Sequence, residues 1–173
     1  DSFLVAGITT VVALLVGYPF AHFVASRPPG VRNTLILLVV IPFWTNMLIR
    51  TYAWMIILRA NGFLNNLLLA VGLIDQPIQI LYTRTAAILG LTYVLLPFMI
   101  LPLYASIEKL DDRLVRAAHD LCAGPVQAFL RVTLPLTMPG VIAGSIMTFI
   151  PALALFFVTD LLGGAESFLI GNL

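Results

Sequence analysis

Four stretches of this chain, residues 3–25, 33–58, 85–104 and 138–158, stay apolar over twenty or more positions. A bilayer core of roughly 30 Å is crossed by about 20 helical residues, and each backbone polar group must find its partner inside the membrane. Runs of this length therefore constrain the fold to an all-α integral membrane protein, a polytopic helical bundle with about four spanning helices. Composition agrees: 61% of residues are hydrophobic and 10% are charged, where a soluble domain carries about 25% charged residues.

Prolines punctuate every span, at Pro19, Pro42, Pro97 with Pro102, and Pro139 with Pro151. Each removes a backbone donor, which a packed bundle tolerates better than a lone lipid-facing helix. Residues 26–32 form a short Pro-Pro-Gly turn, whereas 59–84 contain a second apolar stretch, 63–73, too short to span and bounded by Gly62 and Gly72. That stretch reads as a helix lying at the interface.

Arg27 and Arg32 lie in the first loop and Lys109, Arg113, Arg116 and Arg131 in the third, against Arg59 and Arg84 in the second. Excess basic residues mark the cytoplasmic side, so the first and third loops are expected there. Arg50 is expected at the outer boundary, snorkelling or ion-paired, and His22, near the cytoplasmic end of the first span, reads as a packing residue.

Residues 106–137 are a polar island in this apolar chain. Asp111 and Asp112 are candidate N-caps, and Leu110, Leu114, Ala117 and Leu121 recur at helical spacing. Gly124-Pro125 ends that helix and starts another, which Pro135 ends. Two short helices lying across the membrane surface are predicted.

Several classes of function are excluded by what the chain carries. A net charge of +1 with scattered Lys and Arg does not track a nucleic-acid backbone. Cys122 has no second cysteine to bridge, and His22 and His119 lie far apart, so no local zinc spacing exists. Lys109 is the single lysine and no glycine lies between Gly90 and it, which leaves no P-loop to hold ATP. The chain opens at Asp1 without methionine and stops at Leu173 after a polar turn, as expected of a piece of a longer membrane protein.

The spacing from Arg116 to Pro135 resembles the EAA loop of binding-protein-dependent ABC importer permeases. That motif reads Glu-Ala-Ala, three residues, Gly, nine residues, Ile, one residue, Leu-Pro. The matching positions here hold Arg116, Ala117, Ala118, Cys122, Val132, Leu134 and Pro135. The runs Pro42-Phe43-Trp44-Thr45-Asn46, Leu48-Ile49-Arg50-Thr51-Tyr52-Ala53-Trp54, Leu96-Pro97-Phe98-Met99-Ile100-Leu101-Pro102-Leu103-Tyr104 and Ile107-Glu108-Lys109-Leu110-Asp111 are similar to spermidine/putrescine importer permeases. Family members have six spanning helices, so the resemblance implies one permease domain over 1–173 that lacks the first and last.

The resemblance further implies a multi-pass subunit of the bacterial inner membrane with no catalytic residues, metal or cofactor of its own. ATP and Mg would be bound by partner ATPase subunits, and a second permease, an extracellular or periplasmic binding protein and membrane lipid would be the other partners. The EAA loop would dock on the ATPase, with Arg116, Ala117, Ala118, Cys122, Gly124, Val132, Leu134 and Pro135 as its contact positions. Ala117 and Ala118 are small enough for a close approach. Arg116 reverses the family's charge, and Cys122 replaces a glycine whose helix stop Gly124 is expected to take over.

A cationic polyamine is bound by carboxylates at its amines and by aromatic faces along its length. Asp160, Trp44, Tyr52 and Trp54 are the candidates for that path; the bland alternatives are an interfacial aromatic belt and a helix-end carboxylate. Another small solute, such as ferric ion, sulfate or thiamine, is the rival cargo. A membrane enzyme would need paired catalytic groups at one depth, which the spans do not offer, and a scaffold role leaves the loop spacing unexplained.

Overall fold

The structure is a computed structural model. It describes residues 2–72, 74, 76–155, 158, 161 and 162, with the backbone alone at Asp112. Among these, eight α-helices follow one another: α1 (Ser2–Ala25), α2 (Pro29–Val40), α3 (Met47–Leu58), α4 (Phe63–Ala70), α5 (Arg84–Ile107), α6 (Asp112–Asp120), α7 (Pro125–Ala128) and α8 (Leu134–Ala154).

The central element is α5, packed between α1 and α8. Small residues make that packing close. In α8 the buried stripe is Gly140, Gly144, Thr148 and Ala152, one residue every four. A Cβ at Gly140 would sit 2.7 Å from the carbonyl oxygen of Pro102, and one at Gly144 would meet Met99 Sδ at 2.8 Å. In α1 the buried positions Ala6, Thr9, Ala13, Gly17 and Ala21 do the same, Gly17 lying against Met99 and Ile100. Between membrane helices the apolar lipid tails compete with apolar side chains, so close backbone approach and dispersion, not expulsion from water, hold such a trio.

The first and third spans emerge almost as expected, with α1 and α5 extending the predicted ranges by three residues or fewer at each end. The second does not run unbroken through 33–58. A 3-10 turn at Ile41–Trp44 ends α2, Thr45 and Asn46 are extended, and α3 starts afresh with the Asn46 side chain accepting from the Leu48 N–H at 2.8 Å. Pro42 supplies no N–H to continue the first piece, and Asn46 is a strong N-cap for the second.

The fourth span begins earlier than residue 138. From α7 a π turn at Phe129–Thr133 runs directly into α8, giving one apolar helical stretch from Pro125 to Ala154. Pro135 therefore opens α8 instead of ending a surface helix. A proline ring collides with the carbonyl four residues before it, here Arg131, and the wider π turn removes that collision.

The short helix expected over 63–73 is present as α4. It is tied to its surroundings by Asn65, only 1% exposed, whose amide donates to the carbonyls of Arg59 (3.2 Å) and Ile78 (2.8 Å) and accepts from the Ile78 N–H (3.1 Å). One buried side chain thus closes the loop between α3 and α5.

Candidate functional site

The C-terminal ends of α1 and α5 lie on the same side as α6 and α7, so the first and third loops meet there. Arg32, at the start of α2, pairs with Glu108, just past α5, at 2.9 Å. The basic residues of the two loops mark this side as cytoplasmic.

Asp111 is the cap of α6, its carboxylate accepting from the Arg113 N–H at 2.9 Å. The helix ends in a Schellman motif: Cys122 N–H donates to the His119 carbonyl (2.9 Å) and Ala123 N–H to the Ala118 carbonyl (3.0 Å). Cys122 itself carries φ = +61°, the left-handed region where glycine is favoured. Gly124 has φ = −66° and begins α7, so the helix stop falls on Cys122 and not, as expected, on Gly124. The ring of His119 reinforces the cap, with Nδ1 3.1 Å from the Ala123 carbonyl oxygen.

The periodic apolar residues of α6 do not face inward. Leu114, Ala117 and Leu121 are exposed, Leu121 by 83%, as are Val126 and Leu130 beside them. Ala118, Val132 and Leu134 are half-buried, while Arg116, Gly124 and Pro135 are exposed. Leu114, Leu121, Val126 and Leu130 thus leave apolar surface of this loop uncovered beside the half-buried Ala118. Behind it, Tyr18 of α1 braces the start of α8: its hydroxyl lies 2.8 Å from Thr137 Oγ1 and its ring meets Phe129 edge-on.

The membrane candidates separate. Trp44 is 88% exposed and Tyr52 54% exposed, whereas Trp54 turns inward against Tyr93 with ring centroids 5.5 Å apart. Trp44 lies just before the break at Thr45–Asn46 and Tyr52 in α3 after it, both exposed, while Trp54 is half-buried. Asp160 lies outside the described residues.

Two basic residues sit elsewhere than expected. Arg50 is not at the outer boundary; with Tyr93, Leu96, Pro97 and Ile100 of mid-α5 it lines an apolar cavity of about 180 Å³, and among the described residues its Nε has no hydrogen-bond partner. His22 is exposed instead of packed, and it shares a cleft of about 470 Å³ with Arg116 and His119. Neither placement was readable from local sequence, because each depends on which helices meet.

Residues 10–172 match the family described as the binding-protein-dependent transport system inner membrane component. The chain is 54% identical over 165 residues, 95% of its length, to the spermidine/putrescine transport system permease protein PotB of Escherichia coli (strain K12), covering 60% of that protein. It is 53% identical over 172 residues to PotB of Haemophilus influenzae, covering 99% of this chain and 60% of that one. It is 33% identical over 178 residues to the inner membrane ABC transporter permease protein YdcU of Escherichia coli, covering 95% of this chain and 56% of that one. The chain spans about 60% of the length of the first two of these curated relatives.

Proposed function

The chain belongs to the binding-protein-dependent transport system inner membrane component family, and from that premise we propose that it is the permease domain of an ATP-driven importer for polyamines such as spermidine and putrescine. The observation that carries the cargo assignment is the similarity, through 95% of the chain, to permeases whose names specify spermidine/putrescine transport. The subunit is catalytically silent, and ATP with Mg is bound by separate ATPase subunits. A second permease completes the passage and an extracellular binding protein delivers the solute.

In this reading α6 is the coupling helix. The exposed Leu114, Ala117 and Leu121 enter the ATPase cleft, Ala118 permits close backbone approach, and the Cys122 cap fixes where the helix stops and α7 departs. The π turn carries α7 straight into α8, and α8 packs on α5 through glycines. A displacement of α6 and α7 is thereby delivered to a membrane helix without a flexible joint. Arg116 lies at the edge of this surface, facing the cleft it shares with His22.

Trp44 and Tyr52, exposed before and after the α2–α3 break, line the passage and offer aromatic faces to a cation. Asp160 is proposed as a carboxylate contact on the same path. Trp54 supports that wall from behind through Tyr93.

Two measurements on the full-length permease with its partner subunits test the reading. Deleting 117–124 is expected to abolish co-purification of the ATPase; unchanged association would remove the coupling role. Spermidine or putrescine presented on the cognate binding protein is expected to stimulate ATP hydrolysis by the assembled complex. Stimulation only by another solute would overturn the cargo.

A further inference from the structure

Where the cytoplasmic end of α1 approaches α6 and the π turn, a cleft of about 470 Å³ opens. Its polar rim comes from His22 and Ser26 of the first helix and its loop, and from Arg116 and His119 of α6. Leu110, Val115 and Phe129 make its apolar wall. The volume falls within the roughly 300–1,000 Å³ of small-ligand sites.

None of the lining residues is acidic. The Arg116 side chain makes no hydrogen bond or ion pair among the described residues, and the ion pair on this side, Arg32–Glu108, is formed by other groups. Asp120, which shares α6 with Arg116, is exposed and does not line the cleft. On His119, Nδ1 donates to the Ala123 carbonyl, and in that neutral tautomer Nε2 is an acceptor, so this ring walls the cleft without binding the anion. The Arg116 guanidinium, with no acidic residue beside it in the lining, gives the opening a positive charge that attracts an anion, and the His22 ring offers an N–H next to it.

Depth selects the anion. His22 lies in the last turn of α1, a helix long and apolar enough to span the bilayer, which puts the cleft at the level of the cytoplasmic headgroups. Basic pockets between helices at that level take lipid phosphates, and the apolar wall suits the glycerol backbone and first methylenes of a lipid better than a free ion. We propose that this cleft binds the phosphate diester of an anionic phospholipid, held by Arg116 with His22. Arg116 then serves a lipid contact beneath the coupling helix, which accounts for a basic residue at the position where the resemblance calls for a carboxylate.

The test uses the full-length permease assembled with its partner subunits, in nanodiscs of phosphatidylcholine mixed with phosphatidylglycerol. Lipids that survive exchange into neutral detergent are counted by native mass spectrometry. Phosphatidylglycerol is expected to be retained in preference to phosphatidylcholine. Arg116→Gln is expected to cut that retention about fivefold, equivalent to the roughly 1 kcal/mol of one basic group near an anionic surface, and Arg116→Lys to preserve most of it.

Arg27→Gln removes the same charge outside the cleft, where Arg27 stacks on Phe23, and is expected to leave retention unchanged. Equal retention in Arg116→Gln and the parent, or an equal loss in Arg27→Gln, would overturn the site. Displacement of the lipid by millimolar inorganic phosphate would assign the cleft to a soluble anion and overturn the lipid.

Discussion

Arg32 Nη2 lies 2.9 Å from Glu108 Oε1, joining the first residues of α2 to the end of α5 across two loops that are remote in sequence. Both side chains are partly exposed, at 25% and 37%, so solvent screening limits what the pair contributes. Glu108→Gln is expected to lower stability by less than about 1 kcal/mol, with the difference shrinking as salt is raised. Thermal unfolding of the purified protein at two ionic strengths measures this; a loss of several kcal/mol would mean that the pair is shielded far better than its exposure indicates.

Cys122 occupies a glycine conformation, and a side chain in the left-handed region costs about 1–2 kcal/mol. Cys122→Gly removes that strain, partly offset by the extra freedom of glycine in the unfolded chain. Net stabilisation of up to about 1 kcal/mol is expected, while Cys122→Val should destabilise. Slower amide exchange at Ala123 in the glycine variant would locate the gain at the α6 cap, and faster exchange there would refute the cap argument.

Glycines in the same fold should respond oppositely to alanine. At Gly140 a methyl meets Ser106 Oγ at 2.5 Å and a backbone carbonyl at 2.7 Å, whereas at Gly7 nothing lies within 4 Å. Gly140→Ala is expected to cost about 1–3 kcal/mol through overpacking. Gly7→Ala is expected to be neutral or to stabilise by up to about 1 kcal/mol through helix propensity. Denaturation of both variants in one detergent checks the contrast; matching effects would mean that α8 does not press on α5 at Gly140.

Asn65 makes three hydrogen bonds that fasten α4 to residues 59 and 78. Asn65→Ala removes three hydrogen bonds to the backbone of residues that are themselves exposed and can turn to water, at about 1 kcal/mol. Faster hydrogen exchange confined to 59–81 is expected, with α1 and α5 protected as before. Unchanged exchange in that loop would show that other contacts hold it.

How much of this was legible beforehand varies with the range of the forces involved. The ends of α1 and α5, the Asp111 cap and the common side of the first and third loops follow from hydropathy, capping and charge, all local properties. The break at Asn46 had a local signal too, an N-cap residue after Pro42, but an unbroken apolar run concealed it. The Gly140-Gly144-Thr148 stripe was visible as a four-residue spacing, yet its meaning depends on α5 lying opposite. The outward face of Leu114 and Leu121 could not be read from periodicity, because a repeat identifies a face without saying what covers it. Arg50 and His22 were misplaced for the same reason: their depth and company are set by tertiary packing.

The π turn at Phe129–Thr133 takes up one residue more than an ordinary turn without changing which face is buried. Buried positions run Ala128, Thr133, Thr137, Gly140, Gly144, Thr148 and Ala152, and the step across the turn is five residues where those after it are three or four. Removing one residue there would shorten that step to four, the ordinary helical repeat, and leave these positions on one face. The exposed side of α6 would keep its direction, and what would return is the collision between the Pro135 ring and the carbonyl four residues before it. A single deletion between 129 and 133 should therefore be tolerated far better together with Pro135→Ala than alone, so the segment is a splice whose extra length makes room for a ring.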